Sequence, residues 1–266
     1  MKLGFIGVGG MAQAIIKGLL DAKKVTSDDI FVHSAHQTYQ KFAKLTGVKA
    51  VESNAAVVDQ SDLIVLSVTP NMAPHVLKEI RDGLDHQNKV LISIVAGISL
   101  SEIEEMTNYD LPILRTLPNL NVQIGKGMTA IKANENLRGE QLASAVGLFD
   151  AIGMTTEMPE DQFATFSALA GSSPAYAYFF IDSMSRAGVK HGLNKEQATK
   201  IVAQALAGSA EMILKSDKVP FELIDRVSSP GGSTVAGLLA MEEAGFMTSV
   251  VKGIDATIER NNAESE

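Results

Sequence analysis

Until about residue 155, short runs of consecutive apolar residues alternate with stretches in which apolar positions recur every three or four residues. The runs Leu3–Ile6, Ile30–His33, Leu63–Ser67, Val90–Val95, Ile113–Leu117 and Met128–Lys132 predict strands. The periodic stretches Met11–Ala22, Thr38–Leu45, Ala55–Asp59, Pro74–Leu84, Leu100–Met106 and Glu140–Ala151 predict helices between them. Strands separated by helices imply right-handed crossovers, and hence a doubly wound, largely parallel α/β sheet with helices on both faces. Leu63-Ile64-Val65-Leu66 and Val90-Leu91-Ile92 lack the alternation of a half-exposed strand, which predicts burial on both faces.

After Pro159 the strand pattern stops. Phe163–Leu169 reads as helix, and Ser173-Pro174 reads as a cap and first-turn proline for a helix over Ala175–Ala187. Asn194 with Gln197 caps a long helix whose face carries Ala198, Ile201, Val202, Ala205 and Met212. Pro220 opens a shorter helix, followed by Thr234–Ala244 and Phe246–Arg260, and the polar tail Asn261–Glu266 is expected to fray. The expected division is a nucleotide-binding sheet domain over 1–158 and an all-helical domain over 159–266. The helical half carries small and apolar residues around much of each helix's girth, as in Ala203-Gln204-Ala205-Leu206-Ala207-Gly208. That excess predicts association with a second copy.

Composition narrows the partners. A net charge of −8 argues against nucleic acid or an anionic membrane. Zero cysteines exclude disulfides, thiolate metal sites and cysteine nucleophiles. The apolar runs are too short to span a bilayer, and a strand starting at residue 3 leaves no room for a leader, so a cytoplasmic enzyme is expected. The histidines His33, His36, His75, His86 and His191 are scattered without metal-ligand spacing, and no metal is expected.

Gly7, Gly9 and Ala12 fall on the spacing G-x-G-x-x-A between a strand and a helix, with another strand following. In that context the first glycine makes a sharp turn, the second lets bare backbone approach a pyrophosphate, and the alanine permits close helix packing. The second strand ends in His33-Ser34-Ala35-His36 with no carboxylate. An acid there would bind the ribose hydroxyls of NAD and repel a 2′-phosphate, so its absence suits NADP(H) while leaving NAD(H) usable. Val68-Thr69-Pro70 and Ala96-Gly97 follow two further strands, where open α/β sheets bind ligands. Ser228-Ser229-Pro230-Gly231-Gly232-Ser233-Thr234 places glycines and hydroxyls just ahead of a helix, a turn suited to a carboxylate. A strong protein acid, base or nucleophile is not apparent, which fits hydride delivery to an electrophilic carbon.

With those stretches set out, the chain resembles the pyrroline-5-carboxylate reductase family along nearly its whole length. The blocks that carry the resemblance include Phe5-Ile6-Gly7-Val8-Gly9-Gly10-Met11-Ala12, Val68-Thr69-Pro70, Ala96-Gly97-Ile98-Ser99 and Arg115-Thr116-Leu117-Pro118-Asn119. They continue through Ala170-Gly171-Ser172-Ser173-Pro174-Ala175-Tyr176, Ala187-Gly188-Val189 and Val227–Thr234. The resemblance implies reduction of 1-pyrroline-5-carboxylate to L-proline by a Rossmann domain followed by a helical dimerisation domain. It further implies a homodimer or an oligomer of dimers, and an active site where the two domains meet, walled partly by the partner subunit. Gly7, Gly9, Gly10 and Met11 would cradle the pyrophosphate. Ser34 and Asn54 would lie at the adenosine ribose, and Val68, Thr69, Pro70, Ala96 and Gly97 would flank the nicotinamide. Gly231, Gly232, Ser233 and Thr234 would hold the substrate carboxylate, with the Thr234 hydroxyl on the ring nitrogen. Three positions depart from the family: Thr69 stands for a usual lysine, Ser173 for a frequent glycine and His36 for a frequent arginine. A β-hydroxyacid dehydrogenase would carry a lysine on the helix Ala175–Ala187, which has none. A non-catalytic NADP(H) sensor would leave Gly231–Thr234 without a purpose.

Overall fold

The computed structural model describes residues 1–84 and 88–263, so His86 and the last three tail positions lie outside the described residues. By packing the chain parts into two units, one of Met1–Ser172 with 258–263 returning to it and one of Ser173–Thr257.

The first unit is an eight-stranded sheet of order β3-β2-β1-β4-β5-β6-β7-β8. Its strands are β1 (Leu3–Ile6), β2 (Ile30–His33), β3 (Lys49–Ala50) and β4 (Leu63–Leu66), then β5 (Val90–Ser93), β6 (Ile113–Pro118), β7 (Gly127–Ala133) and β8 (Gly153–Glu157). The helices between them are α1 (Gly10–Asp21), α2 (Thr38–Thr46), α3 (Asn54–Gln60), α4 (Ala73–Ile80), α5 (Leu100–Met106) and α6 (Gly139–Asp150). Leu3 lies level with Ile30 on one side and Leu63 on the other, all parallel. Alternate strand residues feed two separate cores. Leu3, Phe5, Val65 and Ile92 pack with Ile15, Ile16 and Phe149 on one face. Ile6, Ile64, Leu66 and Leu91 pack with Leu77, Ile80 and Ile103 on the other. Burial of each such side chain stabilises by about 1.5–3 kcal/mol, which explains the unbroken apolar runs.

The sheet is largely parallel, as expected, with one antiparallel pair, β6 and β7. The 119–126 connection is too short for a crossover helix, so the chain turns back on itself through Gly125, whose φ is +67°. Two strands escape the sequence pattern. The two residues of β3 are exposed, and β8 is a largely polar edge.

After α7 (Phe163–Phe166), Ser167–Gly171 winds into wider π-type turns that run on into α8 (Ser173–Lys190). Ser173 is the first residue of α8, so the expected helix start at Ser173-Pro174 stands, with the wide turns leading directly into it. Pro174 has no N–H to offer the Ala170 carbonyl four residues earlier; that carbonyl accepts instead from Asn119 Nδ2 at 3.0 Å. The buried Asn119, whose Oδ1 also accepts from Met128 N at 3.2 Å, is thereby a structural tie.

The second unit holds most of α8, then α9 (Lys195–Lys215), α10 (Pro220–Arg226), α11 (Ser233–Glu243) and most of α12 (Phe246–Ala263), so the chain is helical through 261–263 where fraying was expected. Asn194 caps α9 by accepting from Gln197 N at 2.8 Å, and Gly188 lets α8 approach Ala198 of α9. Only Ser185, Ala198 and Val202 are buried in these five helices.

Candidate active site

The strand order reverses between β1 and β4, the place where an open α/β sheet leaves a crevice at its carboxyl edge. The Gly7–Ala12 turn sits there. Gly7 has φ +91°, donates its N–H to His33 O at 2.9 Å, and would carry a Cβ only 2.5 Å from the Ser67 carbonyl oxygen. Ser67 returns the contact, with its Oγ 2.7 Å from Gly7 O. Gly7 is thus demanded by the fold.

Gly9 and Gly10 differ. Both are exposed, and a Cβ on either would meet nothing within 4 Å. Gly9 is the N-cap of α1, with extended backbone and no side chain capping the helix. The fold does not require these two glycines. What they preserve is a bare, open cradle in front of uncapped helix amides with the positive end of the dipole behind it, and a pyrophosphate fits that arrangement. Met11 contributes only backbone here, since its side chain packs against the core, while Ala12 is 1% exposed.

At the end of β2, His33 and Asn54 are joined at 2.8 Å between Nδ1 and Oδ1, and Asn54 Nδ2 donates to Glu79 Oε2 at 2.9 Å. The His33 ring meets Tyr39 edge-on, and Tyr39 donates to Val51 O at 3.0 Å. Ser34 follows, half-buried, while His36 is exposed. The side chain of Asn54 is therefore already held at both ends. Glu79 is a carboxylate that no reading of β2 could find, because it arrives from α4.

Beyond β4, β5 and β6 lies a cavity of about 410 Å³. Pro70, Ala96, Gly97, Arg115, Glu160 and Phe163 line it. Of the loop residues expected at a nicotinamide, Pro70, Ala96 and Gly97 border this space. Val68 packs into the second core and Thr69 is exposed, starting a short turn with its carbonyl accepting from Met72 N at 2.9 Å. Arg115, 8% exposed, is ion-paired to Glu160 and lies over the Phe163 ring at 4.6 Å. Glu102 accepts from Ser99 Oγ at 2.6 Å and Ser99 N at 2.8 Å. Those two bonds, the hydroxyl first, hold the Glu102 carboxyl below its ordinary range, with a smaller contribution from Arg115. The S-x-x-E spacing of Ser99 and Glu102 is a legible capping box. Glu160 left no such local trace.

In the helical unit, Gly231 has φ +69° and Gly232 is the N-cap of α11, again with no side chain on the helix start. Gly232 N donates to Ser229 O at 2.9 Å, closing the turn. Ser233 and Thr234 are exposed, and the nearby Ser228 Oγ is shut off from the surface without a hydrogen-bond partner. A desolvated hydroxyl beside uncapped amides suits a small anion. Among the described residues, no three His, Asp or Glu side chains gather as a metal site would need.

Residues 160–264 match the pyrroline-5-carboxylate reductase dimerisation family, and residues 2–97 match the family described as NADP oxidoreductase, coenzyme F420-dependent. The pyrroline-5-carboxylate reductase of Aquifex aeolicus is 34% identical over 98% of this chain and 96% of its own. The chain belongs to the pyrroline-5-carboxylate reductase family. A crystal structure of the Plasmodium falciparum pyrroline carboxylate reductase with NADP bound superposes with a TM-score of 0.90 at 32% identity, covering 100% of this chain and 98% of that one. The 1-pyrroline-5-carboxylate reductase of Streptococcus pyogenes gives 0.86 at 39% identity, covering 99% and 98%. Membership in the pyrroline-5-carboxylate reductase family thus spans both units, the glycine cradle and the Gly231–Thr234 turn alike.

Proposed function

We propose that this chain reduces 1-pyrroline-5-carboxylate to L-proline with NADPH, NADH serving as a second donor, in the cytoplasm and as a homodimer that can build larger assemblies. The observation that carries the reading is the bare Gly9–Gly10 cradle, kept open although the fold does not need it, in a chain so fully covered by reductase relatives. The functional division runs at residue 158: residues 1–158 take the dinucleotide and 159–266 take the substrate and the second subunit. Among the described residues no single helix is long and apolar enough to cross a membrane. The net charge of −8 disfavours nucleic acid and anionic lipid.

Gly7, Gly9, Gly10 and Met11 present backbone to the pyrophosphate. Ser34 and Asn54 meet the adenosine ribose; β2 itself brings no carboxylate against a 2′-phosphate, and the Glu79 carboxylate is engaged by Asn54 Nδ2. Pro70, Ala96 and Gly97 make the wall for the nicotinamide, with Val68 and Thr69 carrying the chain into it from β4. A reduced nicotinamide, when bound, supplies the hydride. Gly231, Gly232, Ser233 and Thr234 grip the carboxylate through amides at the start of α11. The Thr234 hydroxyl hydrogen-bonds the ring nitrogen and holds the reacting carbon in line. A cyclic imine protonates readily near neutral pH, so the product's proton is in place beforehand and no protein acid is required.

The test is loss of reduced-nicotinamide absorbance when purified protein, NADPH and pyrroline-5-carboxylate are mixed. Thr234→Ala is expected to lower turnover on the order of 10-fold or more while cofactor affinity is kept, since one transition-state hydrogen bond is removed. Cofactor binding without any oxidation would sink the enzyme reading, and an unchanged rate in the variant would remove Thr234 from it.

A further inference from the structure

Arg115 is the only charged side chain among the described residues that is buried, at 8% exposure, and its counter-ion comes from far along the sequence. Glu160 Oε1 accepts from Arg115 Nη1 and also from Leu100 N, the latter at 3.0 Å. Leu100 is the first residue of α5, so its N–H is one of the donors a helix start leaves without an internal partner. Glu160 thus caps α5 from a different segment of chain.

The residues immediately before Leu100 are the ones that border the cavity. Between the end of β5 and α5, Ile94 N is bonded to Leu66 O at 3.1 Å and Ile98 is buried. Ser99 is clasped by Glu102 and Leu100 by Glu160, leaving Ala96 and Gly97 as the exposed span between fixed ends. Gly97, with φ +74°, gives that span its bend. Arg115 is itself held from a second side by the Phe163 ring, so Glu160 sits on a rigid cation. Removing the carboxylate would free Leu100 N and strand a buried guanidinium at the same stroke, and both faults fall on the wall of one cavity.

We infer that Glu160 is a positioning residue for the Ala96–Gly97 wall, acting through Leu100 and Arg115. The inference rests on the reading that this wall takes the nicotinamide. Its predicted signature is selective. The pyrophosphate and adenosine contacts are made on other strands, so cofactor affinity is spared while the alignment of the reacting carbon is lost. A displacement of about 1 Å at a reacting centre costs on the order of 100-fold in rate.

The experiment uses the full chain with Glu160→Ala and Glu160→Gln, measuring kcat, the Kd of NADPH, the melting temperature, and the isotope effect with NADPH deuterated at the transferred position. For Glu160→Ala, kcat is expected to fall about 10- to 100-fold with the Kd of NADPH changed less than about threefold, and the isotope effect to rise as hydride transfer becomes rate-limiting. Glu160→Gln keeps an acceptor for Leu100 N, so it is expected to recover part of the loss and serves as the readout should the alanine variant fail to fold. A fall in melting temperature with kcat and isotope effect unchanged in the folded variants would overturn the inference and leave the pair structural. Equal losses in kcat and in cofactor affinity would overturn it too. A wild type that oxidises no NADPH would defeat the reductase reading itself, a result distinct from either.

Discussion

In the sheet unit Phe5, Ile64 and Phe149 are at most 1% exposed, whereas in the helical unit Phe179, Leu214 and Phe221 are 76%, 70% and 68% exposed. Both units draw on the same kinds of apolar residue, so composition does not explain the contrast. A parallel sheet covered by helices on both faces closes over its own side chains, and the chain's two cores do so on either side of β1 and β4. Helices α10, α11 and α12 bury no residue at all within this chain. Apolar area left open on that scale marks an interaction surface, and a match to a dimerisation family over 160–264 accords with it. One unit closes over its own core as a single copy, and the other leaves apolar faces open for the second copy proposed above.

The sharpest way to break the sheet side of that contrast is Gly7→Ala. A Cβ 2.5 Å from the Ser67 carbonyl at φ +91° has nowhere to go, and a loss of about 2–4 kcal/mol in chemical denaturation is expected. Gly9→Val is the control, because its side chain would point into open space. Stability should fall by no more than about 1 kcal/mol, the cost of a poorer N-cap, while the Kd for NADPH rises at least about 10-fold. On the helical side, Phe179→Glu places a charge where the second copy is proposed to sit. Sedimentation is expected to show monomer at micromolar concentration, and the melting temperature should lose its dependence on protein concentration. A wild type that is monomeric throughout would refute the contrast as drawn.

The smallest effect concerns the α5 cap. Ser99→Ala removes the acceptor for Glu102 N and the hydroxyl donor to its carboxylate, at a cost of about 1 kcal/mol near neutral pH. Because the folded carboxyl of Glu102 is held below its ordinary range, its contribution is present above the unfolded value and is lost as pH falls through the folded one. The difference between wild type and Ser99→Ala should accordingly shrink in acid, read by denaturation at neutral pH and at pH about 3.

Much of the architecture was legible because local pattern and final burial agree. Leu3–Ile6, Ile30–His33 and Leu100–Met106 fold with the bounds their patterns indicate. The misses share a cause, namely that the deciding partner lies elsewhere. The edge strand β8 takes its place from pairing with β7. Ser173-Pro174 does begin α8, yet the wide turns just ahead of it are tied by Asn119, which donates to Ala170 O from another part of the chain. At the site, the glycine spacing and the Ser99–Glu102 pair are written within a few residues of each other. The links from Glu79 to Asn54 and from Glu160 to Arg115 join segments 25 and 45 residues apart, a distance over which sequence carries no period.

The exchange at Ala170 has a further consequence. Pro174 lies in the first turn of α8, where a proline is tolerated, and its missing donor leaves the Ala170 carbonyl to a single outside suitor. Since Asn119 also receives Met128 N, one amide pins the wide-turned segment to the root of the β6–β7 hairpin. Restoring an N–H at position 174 would set two donors in competition for the same oxygen, and the anchorage of that segment, more than the helix itself, would be what loosens.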